Sequence, residues 1–188
     1  MVLVPAAAAS LVSGWPLAPV NSWVHLILQG MAWLCFVAGA AFRFWATLFV
    51  GGHKEHDLVT TGPYSLCRHP LYLGSLLLGV SGSCFVEGPL LLAGVAVVAG
   101  VYLWATIPVE EAALRARHGS RYDLYVREVP RVLPRAWKTQ TPQEVIVDTH
   151  SLWLECARAS RWVWLPILGP LARYLRVFEW WPHSSRPF

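Results

Sequence analysis

Two short polar clusters interrupt an otherwise apolar chain, and both carry side chains that do chemistry. The first is Arg68-His69-Pro70, with Tyr64 before it and Tyr72 after it. An imidazole at this place can donate or accept a hydrogen bond and can take a proton, and the tyrosine rings offer faces that attract a cation. Gly62 permits close backbone approach, while Pro63 and Pro70 restrict the loop. The second cluster is Glu110-Glu111. A carboxylate there accepts from hydroxyl or ammonium groups, and Glu111 or His69 is a candidate base for an acceptor that must lose a proton. Taken singly, each cluster has a plainer reading: lipid-headgroup contacts for Arg68 and His69, first-turn helix acids for Glu110 and Glu111. His53 and His56 stand at i, i+3 with no acidic or cysteine partner at ligand spacing, so no metal is expected.

The hydropathy pattern says how these clusters meet. Read at the roughly 20 residues that cross a bilayer, Trp23 to Phe49, Leu71 to Val86 and Pro89 to about Ile107 are spans. Met1 to Trp15 is favoured as a fourth, N-terminal span, with Pro16 to Ser22 as its turn. At ~1.5 Å per residue the second and third spans are arms of about 24 and 30 Å joined by the tight Glu87-Gly88-Pro89 turn, so their open ends lie side by side. Arg68-His69-Pro70 and Glu110-Glu111 sit on those ends. From Ala112 to Gln140 there are seven basic residues against two acids, and the loop before Leu71 adds Lys54 and Arg68. The positive-inside rule puts both on the cytoplasmic side.

After Pro108 an interfacial helix is expected, ended by Gly119. A second, to about Glu128, is expected to open on a capping box at Ser120 to Asp123. Thr139 to His150 reads as a polar linker. Ser151 to Trp181 reads as an interfacial helix anchored by tryptophan and arginine. Arg43 and Trp45 are read as interfacial anchors, with a secondary role beneath a bound ligand. The expected fold is therefore an all-α polytopic membrane protein with three to four transmembrane helices, a helical hairpin and cytoplasmic interfacial helices. The whole chain, 1–188, is read as one domain whose motifs lie in 23–135.

Composition excludes the main alternatives. Of 188 residues 55% are hydrophobic and 14% charged, against roughly 25% charged in soluble domains. Mean hydropathy is +0.44. The first 42 residues carry no formal charge, nor does Gly88 to Val109. A soluble globular enzyme and a disordered chain are excluded together. The net charge of +4 comes mostly from arginines flanking apolar segments, which fits a membrane surface and not nucleic acid. Four cysteines in no C-x-x-C pair read as free thiols, and no G-x-G loop is present, which excludes a Rossmann-type nucleotide fold.

The order His56-x-Leu58-Val59-x-x-Gly62-x-Tyr64, Arg68-His69-Pro70-x-Tyr72-x-Gly74, Glu110-Glu111-x-x-Leu114, Gly119-x-x-Tyr122-x-x-Tyr125, Val129-Pro130 and Pro134 resembles a known signature. It is that of the membrane-embedded isoprenylcysteine carboxyl methyltransferase and phospholipid methyltransferase group, matched over about residues 23 to 135. The resemblance implies S-adenosyl-L-methionine as cofactor. It also implies a lipophilic acceptor, an isoprenylcysteine-type carboxylate or phospholipid amine, methylated at the cytoplasmic face. It implies a cofactor site of His56, Leu58, Val59, Tyr64, Arg68, His69, Pro70, Leu71, Tyr72 and Glu110, and catalysis by Glu110, Glu111 and His69. The implied partners are the lipophilic or lipidated substrate and membrane lipids, with no nucleic acid; oligomeric state stays open. In the prenylcysteine enzymes an arginine precedes the glutamates by four residues; Thr106 stands there, with Pro108 interposed, so amines, other lipidic carboxylates and thiols stay open as acceptors. Two other classes remain: an NADPH-dependent sterol-type reductase, whose related segment reads R-H-x-N-Y-x-G, and a non-catalytic membrane scaffold.

Overall fold

The computed structural model describes residues 22–51, 57–134, 139, 142, 145 and 147–177. The expected N-terminal span at Met1–Trp15, and His53 and His56, lie outside them. Among the described residues the regular structure is helical: α1 (Trp23–Gly51), a 3-10 turn (Gly62–Ser65), α2 (Pro70–Val86), α3 (Pro89–Val101), a π turn (Tyr102–Thr106), α4 (Ile107–His118), α5 (Ser120–Glu128), α6 (Thr149–Trp162) and α7 (Leu165–Val177).

Two stretches are long and apolar enough to cross a membrane, Trp23–Gly51 and Pro89–His118, and α2 is a shorter apolar helix of 17 residues. Only 11% and 17% of their most apolar windows are buried, whereas the core helix of a soluble protein is mostly buried. Trp23, Ile27, Leu34, Val97 and Trp104 are more than half exposed, a surface that water would not tolerate and hydrocarbon does.

Pro108 does not begin a new interfacial helix. Pro89–His118 runs on as one helix of 30 residues, because the π turn at Tyr102–Thr106 re-registers the backbone ahead of the proline. There the Ile107 N–H bonds Tyr102 O, five residues back. A proline in a regular helix would clash with the carbonyl four residues earlier, and a π turn is one way to relieve this. Gly119, at φ 54°, ends α4, as expected. The capping box is absent: Ser120 lies inside α5, which shows no side-chain cap. Asp123 instead accepts from Arg115 Nε at 2.8 Å. The tail is two helices, not one, broken at Val163 and Trp164.

The chain forms two compact units, residues 1–37, 76–99 and 160–188 in one and 38–75 and 100–159 in the other. In the first, Ala32, Cys84 and Phe85 form the buried centre with Leu28, Phe36, Val80 and Leu165 around it. Trp33 stands edge-on to Phe85 at 5.4 Å. Gly79 lets α2 and α3 approach, since a Cβ there would lie 3.1 Å from Val95. Glu87, fully buried in the α2–α3 turn, pairs with His25 Nδ1 at 2.5 Å. In the second unit Leu58, Tyr122, Tyr125 and Val129 are the buried cluster, and this unit carries Arg68-His69-Pro70 and Glu110-Glu111.

Candidate functional site

The loop before α2 is built by residues that hold its backbone in place. Gly62 has φ 61°, and a side chain there would collide with the Phe49 ring, so only glycine fits. Ser65 Oγ donates to Gly62 O at 2.6 Å, and the Tyr125 hydroxyl donates to Tyr64 O at 2.7 Å. Arg68 N–H donates to Pro130 O at 2.9 Å and His69 N–H to Arg131 O at 3.2 Å. The segment after α5 therefore fixes the Arg68-His69 backbone, and Pro70 starts α2 where a missing N–H costs nothing.

His69 and Glu111, 42 positions apart in sequence, meet at 3.3 Å between Nε2 and Oε1. The His69 Nδ1 lies 3.7 Å from Glu110 Oε2. Glu111 is the more buried acid and is held from three sides: Arg68 Nη1 at 2.7 Å, Arg131 Nη2 at 2.7 Å and the imidazole. Glu110 stays half-exposed. His69 and Tyr72 rings stand 5.7 Å apart and Tyr72 and Tyr102 rings 4.7 Å apart, an aromatic wall three rings long.

A cavity of about 270 Å³ is bounded by Arg43, Tyr64, Arg68, His69, Pro70, Leu71, Tyr72, Ser75, Tyr102 and Glu110. Burial holds the His69 imidazole below its ordinary range, so it is neutral near pH 7. Burial raises the Tyr64 phenol, which keeps its proton as a donor. Burial also pushes the Cys67 thiol up to about 11, out of nucleophilic use.

Of the residues that sequence put in the site, Tyr64, Arg68, His69, Pro70, Leu71, Tyr72 and Glu110 line this cavity. Glu111 stands outside its lining and braces Arg68 and His69. Leu58 packs in the buried cluster with Tyr122, Tyr125 and Val129, and Val59 is half-buried away from the cavity wall. His56 lies outside the described residues. Sequence reasoning missed Ser75, Tyr102, Arg131 and Glu155, and it read Arg43 first as an interfacial anchor and only second as a residue beneath a ligand. Arg43 instead donates from Nε and Nη2 to Glu155 at 2.7 and 3.0 Å and from Nη1 to Ser75 at 2.5 Å. A signal existed for two of them. Arg43 is the first formal charge of the chain, and Glu155 is the sole acid of α6 and α7; an ionisable group amid apolar helix marks a site by default.

The family model for the isoprenylcysteine carboxyl methyltransferase (ICMT) family matches residues 23–116, half of the chain. The nickel-cobalt-cadmium resistance protein NccN of Alcaligenes xylosoxydans xylosoxydans is 26% identical over 162 residues, covering 86% of this chain and 76% of that one. Protein-S-isoprenylcysteine O-methyltransferase B of Arabidopsis thaliana is 35% identical over 81 residues, 43% of this chain and 41% of its own. Methanethiol S-methyltransferase of Crocosphaera subtropica is 35% identical over 71 residues, 38% of this chain and 27% of its own. The chain thus spans less than half the length of these two methyltransferases. No solved structure matches it significantly. With the family's region spanning α1 to α4 and Tyr64, Arg68, His69, Pro70, Tyr72 and Glu110 around one cavity, the chain belongs to the isoprenylcysteine carboxyl methyltransferase family, and with it to the methyltransferases.

Proposed function

We propose that this protein transfers a methyl group from S-adenosyl-L-methionine to a lipophilic acceptor, at a cavity on the cytoplasmic side of a membrane. The observation that carries the reading is the cavity itself: tyrosine faces, a neutral imidazole and one half-exposed carboxylate converge where the family's motifs meet. These residues fit the cofactor, which joins a sulfonium cation, an adenosine and a zwitterionic amino acid. Tyr64, Tyr72 and Tyr102 would face its cation and ring. Glu110 would accept from ribose hydroxyls or the ammonium group, and His69 from a hydroxyl. When bound, the cofactor supplies an activated methyl group.

The chain's own residues do the rest. Glu111, gripped by two arginines and His69, stays ionised and fixes the imidazole's orientation. His69, neutral at physiological pH, has a free lone pair and takes the proton of an amine or thiol acceptor; a carboxylate acceptor would need no base. Pro63 and Pro70 restrict the loop so that little freedom is lost on binding, and the rate gain comes from alignment in a site shielded from water. Thr106, where the prenylcysteine enzymes carry arginine, lies outside the cavity lining, and its hydroxyl donates within its own turn to Val101 O at 3.5 Å. It offers a carboxylate no cation, which favours an acceptor held by its apolar part.

Calorimetry on detergent-purified protein tests the reading. S-adenosylmethionine and its demethylated product should bind and NADPH should not; binding of NADPH alone would replace the methyltransferase reading with a reductase one. A labelled-methyl assay on lipid extracts, with mass spectrometry of the product, identifies the acceptor.

A further inference from the structure

Glu155 is fully buried although it belongs to α6, beyond the residues that match the family model. Its Oε1 accepts from Arg43 Nε at 2.7 Å and its Oε2 from Arg43 Nη2 at 3.0 Å, a two-pronged grip. Arg158 Nη1, half-exposed, adds a third bond at 3.0 Å. α6 approaches α1 at a second point beside this pair. A Cβ on Gly51 would fall 2.8 Å from Ser151 Cβ, and as α1 runs on from Arg43 to Gly51, α6 runs back from Glu155 to Ser151. Asp148 caps α6 at this point, accepting the Ser151 N–H at 2.9 Å and the His150 N–H at 3.2 Å.

Burying an ion pair is an expensive way to attach a helix, since desolvation consumes most of the attraction and an apolar contact would hold α6 as well. What only a carboxylate does is cancel a charge. Arg43 forms part of the cavity wall, with its Nη1 on Ser75, another wall residue. A bare guanidinium there would repel a cationic ligand, and one with a carboxylate against it repels far less. The same holds for the other guanidinium of the wall, Arg68, which rests on Glu111 at 2.7 Å. Each wall arginine thus has a carboxylate behind it, shared with an outer arginine, Arg158 on Glu155 and Arg131 on Glu111, that is about half-exposed and screened by solvent, while the half-exposed Glu110 faces the cavity.

We propose that Glu155 is a positioning residue of the methyl-transfer site: by holding Arg43 it neutralises and orients one wall of the cavity so that a sulfonium cation is admitted, which makes α6 a working part of the site. The inference rests on the S-adenosylmethionine reading above.

The test compares two ligands that differ at one atom's charge, the sulfonium S-adenosylmethionine and the neutral thioether S-adenosylhomocysteine, by calorimetry on the full chain. In Glu155→Gln the ratio of their dissociation constants should rise about tenfold against the cation, the effect of one uncovered unit charge several ångströms away in a partly buried site. In Arg43→Gln the ratio should move the opposite way, several-fold in favour of the cation. The double variant should return to within about twofold of wild type. A purely structural role for α6 would weaken both ligands alike and leave every ratio unchanged, and that result overturns the inference. If Glu155→Gln does not fold, Arg43→Gln decides alone, and an unmoved ratio there overturns it too. Wild-type protein that binds neither ligand removes the cofactor reading and this inference with it.

Discussion

His69 is pulled two ways: burial favours the neutral ring, and the carboxylates of Glu110 and Glu111 favour the charged one, with burial the larger effect. Its folded value therefore lies below the ordinary 6.5, and the unfolded chain binds the proton more readily. Stability then rises with pH across the window that ends at the unfolded value, and is lost as pH falls below it. Cofactor affinity should follow, flat above pH 7 and weakening in acid, and His69→Gln should remove the acid limb of that profile. Deleting one hydrogen-bonding partner in a partly buried site costs about 1–3 kcal/mol, or roughly 5- to 150-fold in affinity. His69→Ala and Glu110→Gln should each weaken S-adenosylmethionine binding by that much. Their double variant should lose less than the sum, because both organise one ligand pose. Exposed Arg127→Ala in α5 should bind as wild type does; wild-type affinity in the two site variants would move the site elsewhere.

At the scale of elements, the site is an agreement between segments that hydrogen-bond across the second unit. Glu111 of α4 joins Arg68 of the loop to Arg131 of the segment after α5. Replacing it with glutamine leaves the buried Arg68 without its counter-charge. That should cost about 3 kcal/mol, in line with other broken buried pairs. Arg131 is 45% exposed, so Arg131→Ala should cost about 1 kcal/mol or less. Thermal unfolding in detergent separates the two, and equal losses would mean that burial of Arg68 is not what makes Glu111 matter. Tyr125→Phe removes the bond to Tyr64 O and leaves that carbonyl short of a donor, a loss of about 1–3 kcal/mol. Hydrogen exchange should show the loop at Gly62–Ser65 opening more often in this variant, with α1 unaffected.

For the molecule as a whole, the constraint is the bilayer. The loop before α2 and everything after Pro108 are expected on the cytoplasmic side, and the Glu87-Gly88 turn on the other. Exposed Cys156 and half-buried Cys35 are free thiols, and Cys67 and Cys84 are buried, so a Cys35→Ser/Cys156→Ser background leaves little to label. On intact cells in that background, Gly88→Cys should react with an impermeant reagent and Ser120→Cys should not. Labelling at position 120 from outside would invert the topology and remove the cofactor argument with it.

Hydropathy alone determined that this is a helical membrane protein, where α1, α2 and α3 run, and that Arg68-His69 must meet Glu110-Glu111. Those are consequences of length and apolarity, which a hydrocarbon layer reads directly. The motif order determined the family, and Gly62 and Gly119 marked their turns because a positive φ admits little else. Tertiary structure decided what each polar group does. That Glu111 braces while Glu110 faces the cavity depends on a helix carried through Pro108 by a π turn, whose wider turn shifts the face that every later residue presents and leaves no periodic trace in the sequence. The pairing of Arg43 with Glu155, 112 positions away, has no spacing rule either. A buried charge declares only that it needs a partner, and which acid answers is settled by how the chain packs.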